Sequence, residues 1–111
     1  GPARKVARWG RVDYSAGRMA LNRDRFLELL RAEQYPLRYT HKFIGKNTAA
    51  FRAGVREMGD RFPQATLEGF RESGESHAYL AYTYVQLAGS AEEIMAFVDA
   101  TATLVDLTII L

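Results

Sequence analysis

The stretch AYLAYTYVQL (residues 78–87), continued by GSAEEIMAFVDATA (89–102) and VDLTIIL (105–111), decides the fold. An extended apolar run leads into a capped helix and out into a second extended run. The cap is Ser90-Ala91-Glu92-Glu93, where the Ser90 hydroxyl can accept from the Glu93 amide while the Glu93 carboxylate reaches back to the Ser90 amide. Ile94, Phe97 and Val98 follow at i, i+3 and i+4, which gives the helix one apolar face.

The same pattern stands upstream as Leu37–Gly45, Thr48–Phe62 and Ala65–Glu72. In its first run Leu37, Tyr39, His41 and Phe43 alternate with Arg38, Thr40, Lys42 and Ile44, the period of a strand. Thr48 caps a helix in which Phe51, Val55, Met58 and Phe62 recur at helical spacing, and Pro63 stops it. Ser73-Gly74-Glu75 joins the next two runs as a hairpin. Two copies of strand, helix, strand predict an α+β fold, a ferredoxin-like βαββαβ sandwich. Right-handed crossovers then give a four-stranded antiparallel sheet in the order 4-1-3-2, with both helices on one face.

Ahead of these copies lies a different kind of sequence. Residues 1–38 hold nine Lys and Arg against four Asp and Glu, whereas residues 39–111 hold six against nine. The extension over residues 1–34 is therefore basic, and the ferredoxin-like domain is expected over residues 35–111. Gly1-Pro2 has the look of a tag-cleavage remnant and is left out of the fold reading. A short strand is placed around Lys5–Val12. Asn22 can cap a helix over Arg23–Glu33 with Phe26, Leu29 and Leu30 on one face, ended by Tyr35-Pro36. Counted by length alone, this extension is optional to the core.

At 111 residues and 48% apolar content the chain is one domain by size. It contains no cysteine, which excludes disulfides, thiolate zinc sites and cysteine nucleophiles. No run approaches the roughly 18 apolar residues of a membrane span, and no signal-peptide pattern is present. A cytoplasmic protein is expected.

From Leu29 onward the chain resembles the YbeD-like family of small bacterial proteins of unknown function. The resemblance is carried by Leu29-Leu30 ahead of Tyr35-Pro36, by the run Tyr39-Thr40-His41-Lys42-Phe43-Ile44-Gly45, by the tyrosine-rich strand Tyr79–Val85 and by Val105–Leu111. It implies a cytosolic bacterial domain with the ferredoxin-like fold, similar in shape to ACT regulatory domains, and it carries no catalytic residues. His41 stands where the family more often has an aromatic, and the basic extension departs from the usual short domain.

Catalytic chemistry finds little support in these residues. His41 shares a strand face with Tyr39 and Phe43 and reads as a core imidazole bonded to backbone. His77 lies near Glu72 and Glu75 in a turn, without the spacing of a metal site, and no metal or cofactor is expected. Glu92 and Glu93 are accounted for by the cap and the helix dipole. Lys46 and Thr48 beside a helix start form a candidate anion site, the basis of an ACT-like reading as a sensor of a small metabolite.

The open face of the sheet is the expected working surface. With Val85 and Leu87 turned to the helices, alternation sends Leu80, Tyr82 and Tyr84 outward beside Arg38, Thr40 and Lys42, with Phe70 and Ile110 nearby. An apolar patch of that size calls for a cover. The leading expectation is a non-enzymatic regulatory or protein-interaction module that acts through its sheet face or edge and self-associates, as a homodimer for example. The alternative is a nucleic-acid-binding accessory protein, with Arg4, Lys5, Arg8, Arg11 and Arg18 on phosphates and the tyrosines on bases.

Overall fold

The computed structural model describes residues 16–111. Helix α1 (Ala16–Arg31) precedes strand β1 (Leu37–Lys46), helix α2 (Ala49–Arg61) and strand β2 (Ala65–Ser73). A short 3-10 turn at Glu75–His77 leads into β3 (Tyr79–Ala88), α3 (Ala91–Ala102) and β4 (Leu107–Ile110). The four strands form one antiparallel sheet in the order β2-β3-β1-β4, which counted from the opposite edge is 4-1-3-2. The architecture is α+β, with an open sheet and three helices among the described residues.

Local chemistry fixes the helix starts. The Thr48 hydroxyl accepts from the Phe51 amide at 3.1 Å and so satisfies one orphan donor of α2. Ser90 and Glu93 close the expected box at α3: Glu93 N donates to Ser90 Oγ at 3.3 Å, and Ser90 N donates to Glu93 Oε2 at 3.1 Å. The last strand begins two residues later than its apolar pattern implies. Asp106 takes a left-handed backbone (φ 65°), which breaks the extended run after Val105.

The pairing register decides which side chains meet. Phe70, Tyr82, Phe43 and Ile110 lie directly opposite one another across all four strands, and Leu67, Tyr84 and His41 form the next row. Directly opposed residues share a face, so both rows stand on the side of Phe43 and His41. That is the helix side. The Phe51 ring of α2 meets Phe43 and Tyr82 edge-on, and Phe97 of α3 lies against His41 and Tyr84. The expectation that Leu80, Tyr82, Tyr84 and Ile110 point away from the helices is therefore corrected: all four are buried in the core.

Helix α1 belongs to that core as well. Phe26 and Leu30 are fully buried in the same apolar cluster as the sheet and the other helices, so α1 is not optional to it. Arg23 holds Asp99 of α3 through two hydrogen bonds of 2.9 and 2.8 Å, and Arg31 reaches Glu92 at 3.0 Å. The helix begins at Ala16 rather than after Asn22, which lies within it. The candidate strand at Lys5–Val12 and the basic residues Arg4, Lys5, Arg8 and Arg11 lie outside the described residues, as does the side chain of Arg18.

Gly45 shows how tightly α2 sits on the sheet. A methyl group there would overlap three carbons of the Phe51 ring. Gly45→Ala is expected to lower stability in urea unfolding by about 1–3 kcal/mol, the usual cost of overpacking. Combining it with Phe51→Leu should recover part of that loss, because the two sites share one volume. Strictly additive losses would show that the ring does not rest on Gly45.

Candidate functional site: a groove between α2 and the β2 edge

Among the described residues, no helix covers the 67–70 stretch of β2 on its helix side. Leu67 and Phe70 are on that side, yet they remain 43% and 61% exposed. Every residue of β2 from Thr66 to Glu72 is exposed, and this nine-residue strand forms one edge of the sheet. Its outer row of backbone groups has no strand partner among the described residues.

Between this edge and α2 runs a groove of about 430 Å³. Helix α2 supplies Arg52, Val55, Arg56, Gly59 and Asp60 to its rim, while Leu67, Phe70, Tyr82 and Tyr84 form the floor. The arginines and the aspartate stand four residues apart, so they share one helical face. Phe70 stacks on Tyr82 at 5.6 Å and 27°, and Tyr82 stacks on Phe43 at the same separation. The exposed Phe70 ring is thus the outer end of an aromatic layer that crosses the sheet.

Two polar groups reach the groove from below. Tyr82 and Tyr84 are 7% and 5% exposed, and neither hydroxyl has a hydrogen-bond partner among the described residues. Burial pushes the Tyr82 phenol above its ordinary pKa, against the opposing pull of Arg52 and Arg56. Burial raises Tyr84 too, reinforced by Tyr82 and Asp60. The groove therefore has a positive end at Tyr82 and a carboxylate near Tyr84. Gly59 allows this arrangement: a Cβ there would stand 3.1 Å from the Tyr84 oxygen. Arg52 donates to the Asn47 side chain, whereas Arg56 makes no hydrogen bond or ion pair with a described residue.

The sequence-derived surface is split by the sheet. Arg38, Thr40 and Lys42 are exposed on the open face, as alternation implies, while Phe70 alone of the apolar set is accessible, at the groove. The residues that actually accompany Arg38, Thr40 and Lys42 are Leu87, Val85 and Thr83 of β3, with Thr66 and Gly69 of β2 beyond the last two. Apolar residues alternate with apolar ones on β3, so polarity did not choose its inward side. Side-chain size did carry a signal, because the Leu80, Tyr82, Tyr84 row fills a core better than Ala81 and Thr83.

The other candidates have local explanations. The Thr48 hydroxyl donates to Asp106 Oδ2 at 2.7 Å, which places a carboxylate of the chain itself at the start of α2. An added anion at Lys46 and Thr48 would face that charge. His77 Nδ1 lies 3.2 Å from Glu72 Oε2 in an exposed pair, and no cluster of three or more metal-ligating side chains occurs among the described residues. His41 is buried, but its Nε2 meets the Gln86 side-chain oxygen at 2.7 Å rather than a backbone group. Gln86 Nε2 in turn donates to the Glu93 carbonyl at 3.1 Å. No helix among the described residues is long and apolar enough to cross a membrane.

Comparison of the chain with family models, with curated proteins and with solved structures returns no match.

Proposed function

We propose that this chain is a non-enzymatic interaction module of ferredoxin-like fold that pairs with a second copy of itself through the β2 edge. The carrying observation is that edge: nine residues, roughly 30 Å of backbone by strand rise that is unpaired among the described residues, with Leu67 and Phe70 exposed on one side of it. Folded domains usually shorten or cover such strands, and a second sheet edge is the partner of matching geometry. A two-fold axis perpendicular to the sheet keeps side chains on their own face, so it would bring Leu67 and Phe70 of both copies to the same side. The β-α-β-β-α-β order beneath α1 supports the ferredoxin-like reading, and the YbeD-like resemblance of residues 29–111 points the same way. A regulatory, cytoplasmic role follows from that resemblance as part of the proposal. The confinement of His41 to the core and of His77 to an exposed turn supports the non-enzymatic reading.

Light scattering on the full chain is expected to give a dimer that persists at high salt. Leu67→Glu with Phe70→Glu should weaken it at least tenfold while the chain stays folded, because both side chains are exposed. A parent chain that remains monomeric, or a double variant that still dimerises, removes the edge as the interface.

A second reading is favoured by the charge of the open face. Its paired strand positions carry Arg38, Lys42 and Arg71 and no carboxylate, while Glu68 stands unpaired at the β2 bulge. A nucleic-acid backbone fits that surface through phosphate contacts rather than through stacking on Tyr82 and Tyr84. Binding to single-stranded oligonucleotides should then fall steeply with salt and weaken in an Arg38→Gln, Lys42→Gln variant. Absent or salt-independent binding overturns this reading.

A further inference from the structure

The groove between α2 and β2 has a composition that edge pairing does not use. An interface between sheet edges needs the backbone of β2 and the apolar Leu67 and Phe70. It has no need of two phenolic hydroxyls that open into the groove without a partner among the described residues, one beside Arg52 and Arg56 and the other beside Asp60. Two tyrosine hydroxyls that open into one concavity are directional hydrogen-bonding groups that a bound polar group can use in place of water. Arg56, on the rim and without a partner among the described residues, supplies charge where the Tyr82 hydroxyl supplies a directional hydrogen bond.

We infer that this groove binds a small aromatic carboxylic acid. The carboxylate is held at the Arg56 and Tyr82 end, where a guanidinium fork and a phenolic O–H are complementary to its two oxygens. The ring lies against the exposed face of Phe70, which Tyr82 backs at 5.6 Å and keeps in a fixed plane. Asp60 follows Arg56 by four residues, about 6 Å along the helix axis, so the far end of the groove accepts a hydrogen-bond donor on the ring beside Tyr84. A volume of about 430 Å³ lies within the range of small-ligand sites and leaves room for one ring with its substituents. Charge selects the class: Arg52 and Arg56 at the Tyr82 end favour an acid, and Asp60 at the opposite end disfavours a second carboxylate.

The carboxylate end of this site lies apart from the edge pairing, since Arg56 and Tyr82 lie off the outer row of β2, whereas Phe70 is shared by the two, so the Arg56 and Tyr82 variants test the groove and the Leu67 and Phe70 variants test the edge. The test uses the nitrogen-15-labelled full chain titrated with 4-hydroxyphenylacetate and, separately, with its neutral counterpart 4-hydroxyphenylacetamide. Saturable amide shifts are expected at Arg56, Gly59, Leu67, Phe70 and Tyr82. Binding should weaken about tenfold for Arg56→Gln and for Tyr82→Phe, each of which removes one charge-assisted contact, and at least tenfold for the amide, which removes the charge from both. Arg61→Gln, a charge change on the same helix outside the groove, should leave it within about twofold. Arg56 is exposed, so its variant reads binding without testing the fold. No saturable shift at about 10 mM acid, equal affinity for acid and amide, or shifts centred elsewhere would each overturn the inference.

Discussion

Truncating Phe97 to alanine is expected to remove about 3–5 kcal/mol of stability, the largest effect of any single substitution considered for this chain. The ring is completely buried on the inner face of α3. It stacks on His41 of β1 with centroids 4.1 Å apart and planes 24° apart, and it meets Tyr84 of β3 at 5.5 Å. On its other side it touches Phe62, at the C-cap of α2, edge-on at 5.1 Å. One side chain thus joins two strands and two helices. Its loss would leave a cavity that rigid aromatic neighbours cannot close, and the cavity term adds to the lost transfer energy. For a domain of ordinary stability this is about a fifth or more of the total. The urea midpoint should fall steeply with little change in slope. Phe70→Ala makes the contrast, because the same residue type 61% exposed at the sheet edge should cost under about 1 kcal/mol. Similar losses at the two positions would mean that Phe97 does not join these layers.

What the sequence made legible divides along the distance between the residues concerned. Both helix caps, the stop at Pro63 and the hairpin between β2 and β3 involve neighbours within a few positions, and Thr48, Ser90 and Glu93 act as their chemistry dictates. The inward face of β1 was equally plain, since Arg38, Thr40 and Lys42 alternate with Tyr39, His41 and Phe43. Strand β3 offered no such contrast. Leu80, Tyr82 and Tyr84 alternate with Ala81, Thr83 and Val85, so only the pairing of Tyr84 with His41 and Tyr82 with Phe43 settles its orientation. One wrong parity moved the whole tyrosine row to the wrong face. The place of helix α1 is hidden for a related reason. Phe26 and Leu30 reveal an apolar stripe, but what that stripe covers depends on Tyr39 and α3, far along the chain.

The groove was still less accessible to sequence reading. Arg52, Arg56 and Asp60 look like an ordinary solvated helix face, and Leu67 and Phe70 look like strand residues of the core. Their meeting arises because α2 stops short of the sheet edge, which no local pattern encodes. A signal did exist in Gly59, whose missing side chain admits the Tyr84 hydroxyl, although a glycine late in a helix reads first as weak propensity.

Stability is also expected to fall by about 3 kcal/mol as pH drops from 6.5 to 4, through His41 alone. Burial pushes this imidazole down to about 4 from an ordinary 6.5, and its hydrogen bond with Gln86 offsets the burial only in part. The Gln86 amide nitrogen donates to the Glu93 carbonyl, so the amide oxygen is the atom that faces His41 and must accept. His41 is then the neutral tautomer protonated at Nε2. Phe97 stacks on its ring and Tyr39 meets it edge-on, and neither offers charge to compensate an imidazolium. Because the folded value lies below the unfolded one, the unfolded chain takes up the proton first. The stabilising contribution of the neutral imidazole is complete above pH 6.5, declines as acid is added, and is gone below pH 4. Carboxylates titrate over part of the same range, so the measurement is the difference between the parent and His41→Gln, a variant that retains an amide donor for Gln86. Urea unfolding at pH 7, 6, 5 and 4.5 should show the parent losing its advantage step by step, with a slope approaching 1.4 kcal/mol per pH unit near pH 5. Parallel curves for the two proteins would mean that His41 is already protonated in the fold, and the dry packing of Phe97 on its ring would have to be abandoned with it.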